Sequence, residues 1–240
     1  MNVGADIGGV ELGLGSAQLR ALAERALWWP AQSLLVVSDL HLGKAERHAR
    51  RSGGLLPPYE ADETLNRLEE LAGRLSPAHI LCLGDSFDDA EAVRALPDTV
   101  RLRFARLMAG RRWTWILGNH DPGPVDLGGV HRDEVRIGGL LFRHIAQAAE
   151  TAPEISGHYH PKAGLRGLRR PAFVTDGQRL ILPAFGTYTG GLDAGDPAIA
   201  GLMGPGARAL LTGRTMAALP LTACARPRSG PPTGWTRGFG

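Results

Sequence analysis

Five short stretches of the chain carry aspartate, asparagine and histidine, the residue types that bind divalent metal ions and move protons. They are Asp39-Leu40-His41, Gly84-Asp85-Ser86-Phe87-Asp88, Gly118-Asn119-His120-Asp121, His144 and Gly157-His158-Tyr159-His160. In the pairs 39/41 and 158/160 the two side chains would point the same way if the backbone were extended, because strand side chains alternate with a period of two. Each pair is therefore suited to grip one metal centre.

The donor atoms in these stretches are oxygens and imidazole nitrogens, with no thiolate. Such a set suits manganese, iron, zinc or cobalt and argues against copper(I) and iron–sulfur clusters. Glycines at positions 84, 118 and 157 allow sharp turns and a close approach to an ion. Taken alone, each stretch has a plain structural interpretation, such as a turn, a helix cap or a surface histidine. The order of the stretches along the chain and their common position after predicted buried strands favour a single functional site.

The elements that must position these residues are short apolar strands. Apolar runs at 34–37, 79–83 and 113–117 predict buried strands, and each ends just before one of the stretches that carry aspartate, asparagine and histidine. Helices are predicted over about 60–75 and 97–108. This alternation indicates a buried mixed or parallel sheet with covering helices, whose ligands bind at the carboxyl edge of the strands.

The second half of the chain is predicted to be mostly strands. Gly138-Gly139 and Asp176-Gly177 lie between apolar runs and indicate two β-hairpins, at 134–142 and 172–182. Residues 1–30 are an uncertain lead-in, with a short helix or strand near 17–27. We expect one domain over 1–222, followed by a tail rich in Pro, Gly and Arg at 223–240.

The composition excludes several classes of protein. The chain has 240 residues, 43% of them hydrophobic, and a net charge of only +3, which is ordinary for a globular protein and too small by itself to indicate nucleic-acid binding. Two cysteines without a CxxC pair argue against a disulfide framework or a zinc ribbon. No apolar run approaches the ~20 residues of a membrane span, and we see no signal peptide, so we expect a cytoplasmic protein without a membrane partner.

The five stretches together resemble the signature of the calcineurin-like metallophosphoesterases, over roughly residues 33–192. The resemblance implies an α/β fold, the metallophosphoesterase four-layer sandwich of two mixed β-sheets flanked by helices. It also implies two divalent metal ions, for which we favour manganese, with iron, zinc or cobalt as alternatives. The implied ligands are Asp39, His41 and His160 for the first ion, Asn119, His144 and His158 for the second, and Asp85 between them. The implied catalytic histidine is His120, oriented by Asp88.

Two further stretches narrow the resemblance. Both resemble the ligase-associated DNA damage response endonucleases (PdeM family). The first comprises residues 38–45 with Arg47, 51–53 and Pro57, and the second comprises residues 182–191. This resemblance implies a phosphodiesterase that cuts DNA in bacterial repair, with a DNA ligase, an exonuclease and a helicase as partners.

A basic segment follows the first ligand pair. It comprises Lys44, Arg47, Arg50 and Arg51, opposed only by Glu46, and we predict that it contacts the DNA backbone; the alternative is a solvated surface. Two other functions stay open. The same metal centre would serve a phosphatase or phosphodiesterase acting on a small nucleotide, and a protein with a vestigial site would serve as a binding scaffold. The complete ligand set argues against the scaffold.

Overall fold

The computed structural model describes residues 8–44, 59–121, 123–165, 168–187 and 189–224. The chain forms two mixed β-sheets with few helices, so the predicted fold class is confirmed. The predicted tail is described only as far as Cys224, whose side chain is buried; residues 225–240 lie outside the described part.

The first sheet contains seven strands in chain order. Its strands are β1 Val10–Leu14, β2 Ala17–Ala21, β3 Leu27–Trp29, β4 Leu34–Val37, β5 His79–Leu83, β6 Arg112–Ile116 and β7 Val130–Arg132. Strands β1 to β4 pair antiparallel, whereas β4, β5, β6 and β7 pair parallel. Because β4, β5 and β6 run the same way, the three stretches that follow them emerge at one edge of the sheet.

The second sheet is built by the second half of the chain. Its strands are β8 Glu134–Ile137, β9 Leu140–Arg143, β10 Glu154–Ser156, β12 Leu168–Thr175, β13 Arg179–Ile181, β14 Arg208–Leu211 and β15 Ala217–Pro220, and β11 Lys162–Leu165 pairs with β12. Both predicted hairpins are present, as β8–β9 and β12–β13. Strands β9 and β10 pair in parallel, so their carboxyl ends also meet at one edge.

Four helices with bounds inside the described ranges cover the sheets: α1 Glu60–Leu75, α2 Ala90–Arg94, α3 Asp98–Met108 and α4 Pro197–Ala200. Short 3-10 helices occur at Pro30–Gln32 and Leu221–Ala223. The predicted helix at 60–75 is confirmed in its bounds: it buries Leu65, Leu68 and Leu71 on one face, at the spacing of an amphipathic helix. None of the helices in the described ranges is long and apolar enough to cross a membrane.

Three hydrophobic cores separate four layers. One core packs α1 and α3 against the first sheet. The second lies between the two sheets, where Leu34, Leu81 and Ile116 of the first face Phe142 and Phe173 of the second. The third packs the second sheet against α4 and the Leu221–Ala223 turn.

The lead-in is more regular than the sequence indicated. Instead of one short helix or strand near 17–27, it forms the antiparallel strands β1, β2 and β3. Alternate residues of β1 and β2, such as Leu12, Leu14 and Leu19, are buried in the core between the sheets. The strands are short and the alternation spans only five residues each, so the periodicity was a weak signal.

Candidate metal centre

The stretches that follow four strands converge at one place. Asp39 and His41 follow β4, Asp85 follows β5, His144 follows β9, and His158 and His160 follow β10. These residues form two groups, each with its ligand atoms within 4.8 Å of one another: Asp39, His41 and His160, and Asp85, His144 and His158. The first group matches the first predicted set, and the second contains the predicted ligands His144 and His158 together with Asp85, the predicted bridge.

In the first group, three ligand atoms face a common space. The Nε2 atom of His160 lies 3.0 Å from Oδ1 of Asp39 and 3.2 Å from Nε2 of His41. The other oxygen of Asp39 accepts hydrogen bonds from the Ser38 hydroxyl and, at 3.1 Å, from the backbone N–H of His158. Oδ2 is therefore the more strongly anchored oxygen, while Oδ1, which accepts the same N–H at the longer distance of 3.3 Å, faces Nε2 of His160.

The second group surrounds the ring of His144. Its Nδ1 lies 3.1 Å from the carbonyl oxygen of Leu83; a carbonyl only accepts, so Nδ1 carries the hydrogen and Nε2 presents a lone pair. That Nε2 faces Oδ1 of Asn119 at 3.1 Å, Oδ2 of Asp85 at 3.3 Å and Nδ1 of His158 at 3.3 Å. Acceptor atoms gathered around one point repel one another unless a cation lies between them, so the donor set fits a metal ion.

Asp85 lies between the two groups. Its Oδ1 accepts the backbone N–H of His120 at 2.8 Å. Its Oδ2 lies 3.3 Å from Nε2 of His144 and 3.9 Å from Nε2 of His41. A single carboxylate oxygen therefore reaches toward both groups, as expected of a bridging ligand.

The electrostatics of the buried centre favour charged forms. Burial alone would raise the pKa of Asp85, but the hydrogen bond with His144 and its charge lower that pKa to about 2. Burial would lower the pKa of His144, but the hydrogen bond with Asp85 and the charges of Asp39 and Asp85 raise it to about 9. The opposite charges of the two side chains therefore stabilise each other.

The ligands adopt an unusual backbone conformation. Among the described residues, eight that are not glycine have positive φ, and five of these are Asp39 (52°), His41 (46°), Asp85 (45°), His158 (71°) and His160 (45°). Residues with side chains rarely adopt this conformation, which is concentrated at functional sites. The extended geometry assumed for the pairs 39/41 and 158/160 is therefore wrong: left-handed turns, and not a strand, bring the side chains together.

All three glycines of the predicted stretches make room for side chains of the site, and a Cβ atom at Gly118 would collide with the carboxylate of Asp85. A Cβ atom at Gly84, where φ is +81°, would collide with the ring of His144, and one at Gly157 would collide with Ser38 and Asp39. These glycines permit a close approach, as predicted, and the atoms that approach them are side chains of the site, including the hydroxyl of Ser38.

The structure places the other predicted site residues as follows. The half-buried His120 has its ring centroid 5.6 Å from that of His41. The carboxylate of Asp88 accepts a hydrogen bond at 3.1 Å from Nδ1 of His41, so it holds a ligand ring; its role in orienting His120 stays a prediction. Lys44 is half-buried three residues after His41, whereas Arg47, Arg50 and Arg51 lie outside the described residues.

Sequence reasoning gave no role to Asp121. Its carboxylate accepts the backbone N–H groups of Phe87 at 3.0 Å and Gly118 at 2.8 Å, and so joins the loops that follow β5 and β6. Burial raises the pKa of Asp121. Its place directly after His120 was the only signal in the sequence.

Comparison with known proteins assigns the family. The model of the calcineurin-like phosphoesterases matches residues 33–180, which is more than half of the chain. The chain belongs to the calcineurin-like phosphoesterases. Among solved structures, this phosphoesterase is similar to Pseudomonas putida nuclease MPE, with 32% identity, a TM-score of 0.70, and coverage of 88% of this chain and 100% of that one.

A second similar structure is the phosphoesterase Yfce from E. coli, at 14% identity and a TM-score of 0.36, covering 80% of this chain and 94% of that one. That likeness is too low to support an argument about function. No curated protein matches the chain. Phosphoesterases of this family are hydrolases that use divalent metal ions, in agreement with the two ligand groups.

Proposed function

We propose that this phosphoesterase is a dinuclear metal-dependent endonuclease that hydrolyses phosphodiester bonds of DNA. The observation that carries the proposal is the position of Asp85 Oδ2, which lies 3.3 Å from Nε2 of His144 in the second group and 3.9 Å from Nε2 of His41 in the first. The 32% identity to a nuclease over 88% of this chain supports a nucleic-acid substrate.

The residues divide between two ions. The first ion would be held by Asp39, His41 and His160, and the second by Asn119, His144 and His158, with Asp85 shared by both. Manganese is the metal we favour, because oxygen and imidazole ligands suit it. Divalent ions bound there supply Lewis-acid charge for the attack of water on phosphorus.

The side chains around the ligands prepare this centre. Asp88 fixes the ring of His41, and the Leu83 carbonyl fixes that of His144, so each presents Nε2. The half-buried His120 would donate a proton to the leaving oxygen of the scissile ester. Two divalent ions outweigh the two ligand carboxylates, so the loaded centre is positive and attracts a phosphate anion.

The DNA itself would be guided by basic side chains. Lys44 and, by their place in the sequence, Arg47, Arg50 and Arg51 follow the first ligand pair. They would contact backbone phosphates on either side of the scissile bond. The resemblance to the ligase-associated endonucleases supports a role in bacterial DNA repair, with a DNA ligase, an exonuclease and a helicase as partners.

A second candidate function is the hydrolysis of a small nucleotide ester. A cavity of about 390 Å³ adjoins the second ligand group and is lined by Asn119, His144, Asp133 and Gln147, among others. Its volume falls within the range of small-molecule sites. A larger cavity of about 710 Å³, at α4 and β15, is lined by none of the predicted ligands.

An activity panel tests the proposal. Protein loaded in turn with manganese, iron, zinc or cobalt is incubated with plasmid DNA, a single-stranded oligonucleotide, small nucleotide esters and bis-p-nitrophenyl phosphate. We expect DNA cleavage at internal bonds, lost together with hydrolysis of the aryl ester in Asp85→Asn. Cleavage of small esters without cleavage of any DNA would favour the second candidate.

A further inference from the structure

The loop at 182–192, described except for residue 188, is joined by backbone hydrogen bonds to the segments that carry the first ligand group. The backbone N–H groups of Phe185 and Gly186 donate to the carbonyl oxygens of Ser38 at 2.7 Å and Asp39 at 3.1 Å. The N–H of Leu192 donates to the carbonyl of Tyr159 at 3.1 Å, directly before the ligand His160. Whatever this loop carries is therefore positioned beside the metal centre.

Three basic side chains from separate elements hold this loop. Arg67 of α1 donates to the carbonyl of Phe185 at 2.7 Å and lies over its ring. Arg25, from the β2–β3 connection, donates to the carbonyl of Gly186 at 3.4 Å. Lys162, the first residue of β11, donates to the carbonyl of Thr189 at 3.0 Å.

The positive charges of this cluster are only partly balanced. Arg67 pairs with Glu63 at 3.4 Å. Within the described part of the chain, neither Arg25 nor Lys162 forms an ion pair with a carboxylate. A cationic cluster that the protein neutralises only in part, here through Glu63, is complementary to an anion.

The electrostatics agree with this geometry. Burial, and then repulsion from Arg67, lower the pKa of Arg25 to about 10. The positive charges of Arg169, Arg25 and Lys44 act on that of Lys162. These cations therefore lie within electrostatic range of one another, and a bound anion would relieve their repulsion.

We propose that Arg25 and Lys162, with Lys44 beside them, form a phosphate-binding patch for the nucleic-acid strand that enters the metal centre. Lys162 follows the ligand His160 by two residues and Lys44 follows His41 by three. Successive Cα atoms are about 3.8 Å apart, so the Cα atoms of these two lysines lie at most about 8–11 Å from those of the ligands they follow. The patch would hold a backbone phosphate next to the one being hydrolysed. This inference rests on the proposed nuclease function and adds Arg25 and Lys162 to its substrate contacts.

The experiment measures binding apart from catalysis. Metal-free protein is titrated with a fluorescent single-stranded oligonucleotide in EDTA at several salt concentrations. The salt slope is the slope of the logarithm of the binding constant against the logarithm of the salt concentration. Each lost phosphate contact should reduce its magnitude by about 0.7, so the reduction should be about 1.4 in R25Q/K162Q and about half of that in Lys162→Gln. If the variant and the wild type bind equally at 1 M salt, a difference in slope of about 0.7 makes the variant bind about fourfold more weakly at 0.15 M salt for each lost contact.

Two further variants control for charge and for folding. Arg106→Gln removes the same single charge as Lys162→Gln, but from the last turn of α3, which leads into the start of β6 at the opposite edge of the sheet, and its slope should match the wild type. Lys162→Arg keeps the charge and should keep most of the binding if the fold is intact.

The outcomes separate this inference from the proposed function. A reduced slope in R25Q/K162Q but not in Arg106→Gln supports the patch. An unchanged slope in R25Q/K162Q, or an equal reduction in Arg106→Gln, overturns it. The proposed function fails on a different result, namely metal-loaded wild type that hydrolyses bis-p-nitrophenyl phosphate but leaves DNA intact.

Discussion

The contact between Asp88 and His41 gives a prediction that separates two roles for this carboxylate. Oδ1 of Asp88 lies 3.1 Å from Nδ1 of His41, and both side chains are only 4% exposed. Outer carboxylates of this kind fix the ring of a metal-binding histidine and raise its basicity, and their loss costs about 10–100-fold in metal affinity or activity. We therefore expect metal binding at the first group to weaken when Asp88 is replaced.

The magnitude follows from what each substitution removes. Asp88→Asn keeps an oxygen acceptor near Nδ1 and loses the charge, so we expect about a tenfold weaker first ion. Asp88→Ala loses both the charge and the acceptor, and should approach about a hundredfold. These factors correspond to about 1.4 and 2.7 kcal/mol.

The assay is a titration of metal-free protein with manganese, followed by calorimetry. The neighbouring Asp89 provides a matched control, because its carboxylate caps α2 by accepting the N–H of Ala92 at 2.8 Å. Asparagine caps helices as well as aspartate, so Asp89→Asn should bind both ions normally. If Asp88→Asn binds both ions with unchanged affinity and yet turns over slowly, the carboxylate acts on His120 and the reasoning from His41 is refuted.

Three further predictions concern the scaffold. Gly84→Ala should lower the free energy of unfolding by at least about 1–2 kcal/mol, because alanine disfavours the left-handed backbone at this position. Its Cβ would also collide with His144, so binding of the second ion should weaken. Denaturation and metal titration measure the two effects, and normal values for both would contradict the packing. Arg143→Met should cost about 3–5 kcal/mol in urea unfolding, because it leaves the fully buried Glu154 with one cation fewer, and a neutral result would show that the cluster contributes nothing to stability. Burial lowers the pKa of His79 to about 4, so the folded state disfavours its protonation, and the free energy of unfolding should fall as the pH drops from about 6.5 to 4. His79→Gln should flatten that pH dependence. An equally steep profile in the variant would contradict the role given to His79.

Much of the fold and the ligand set could be predicted from local patterns. The strands at 34–37 and 79–83 and the helix at 60–75 were predicted with the bounds that the structure has, because each is a compact apolar or amphipathic run between clear stops. The ligand residues follow such strands directly. Parallel strands bring their carboxyl ends together, so residues distant in sequence could be assigned to one site.

The remaining features depend on tertiary contacts that no local pattern encodes. The left-handed backbone of Asp39 and His41 is maintained by the loops around them, while the spacing alone indicated an extended segment. The hydrogen bond from His41 to Asp88 joins residues 47 positions apart. The cations on the 182–192 loop likewise come from three separate elements, and Arg25 lies in a region whose strands were too short to predict.

The central claim is that one carboxylate oxygen of Asp85 lies between two metal ions. Its most direct test is a crystal structure of manganese-loaded protein with anomalous scattering. The account predicts two peaks about 3.5–4 Å apart, one among Asp39, His41 and His160 and the other among Asn119, His144 and His158, with Asp85 touching both. A single peak at saturating manganese, or two peaks of which Asp85 touches only one, would contradict it.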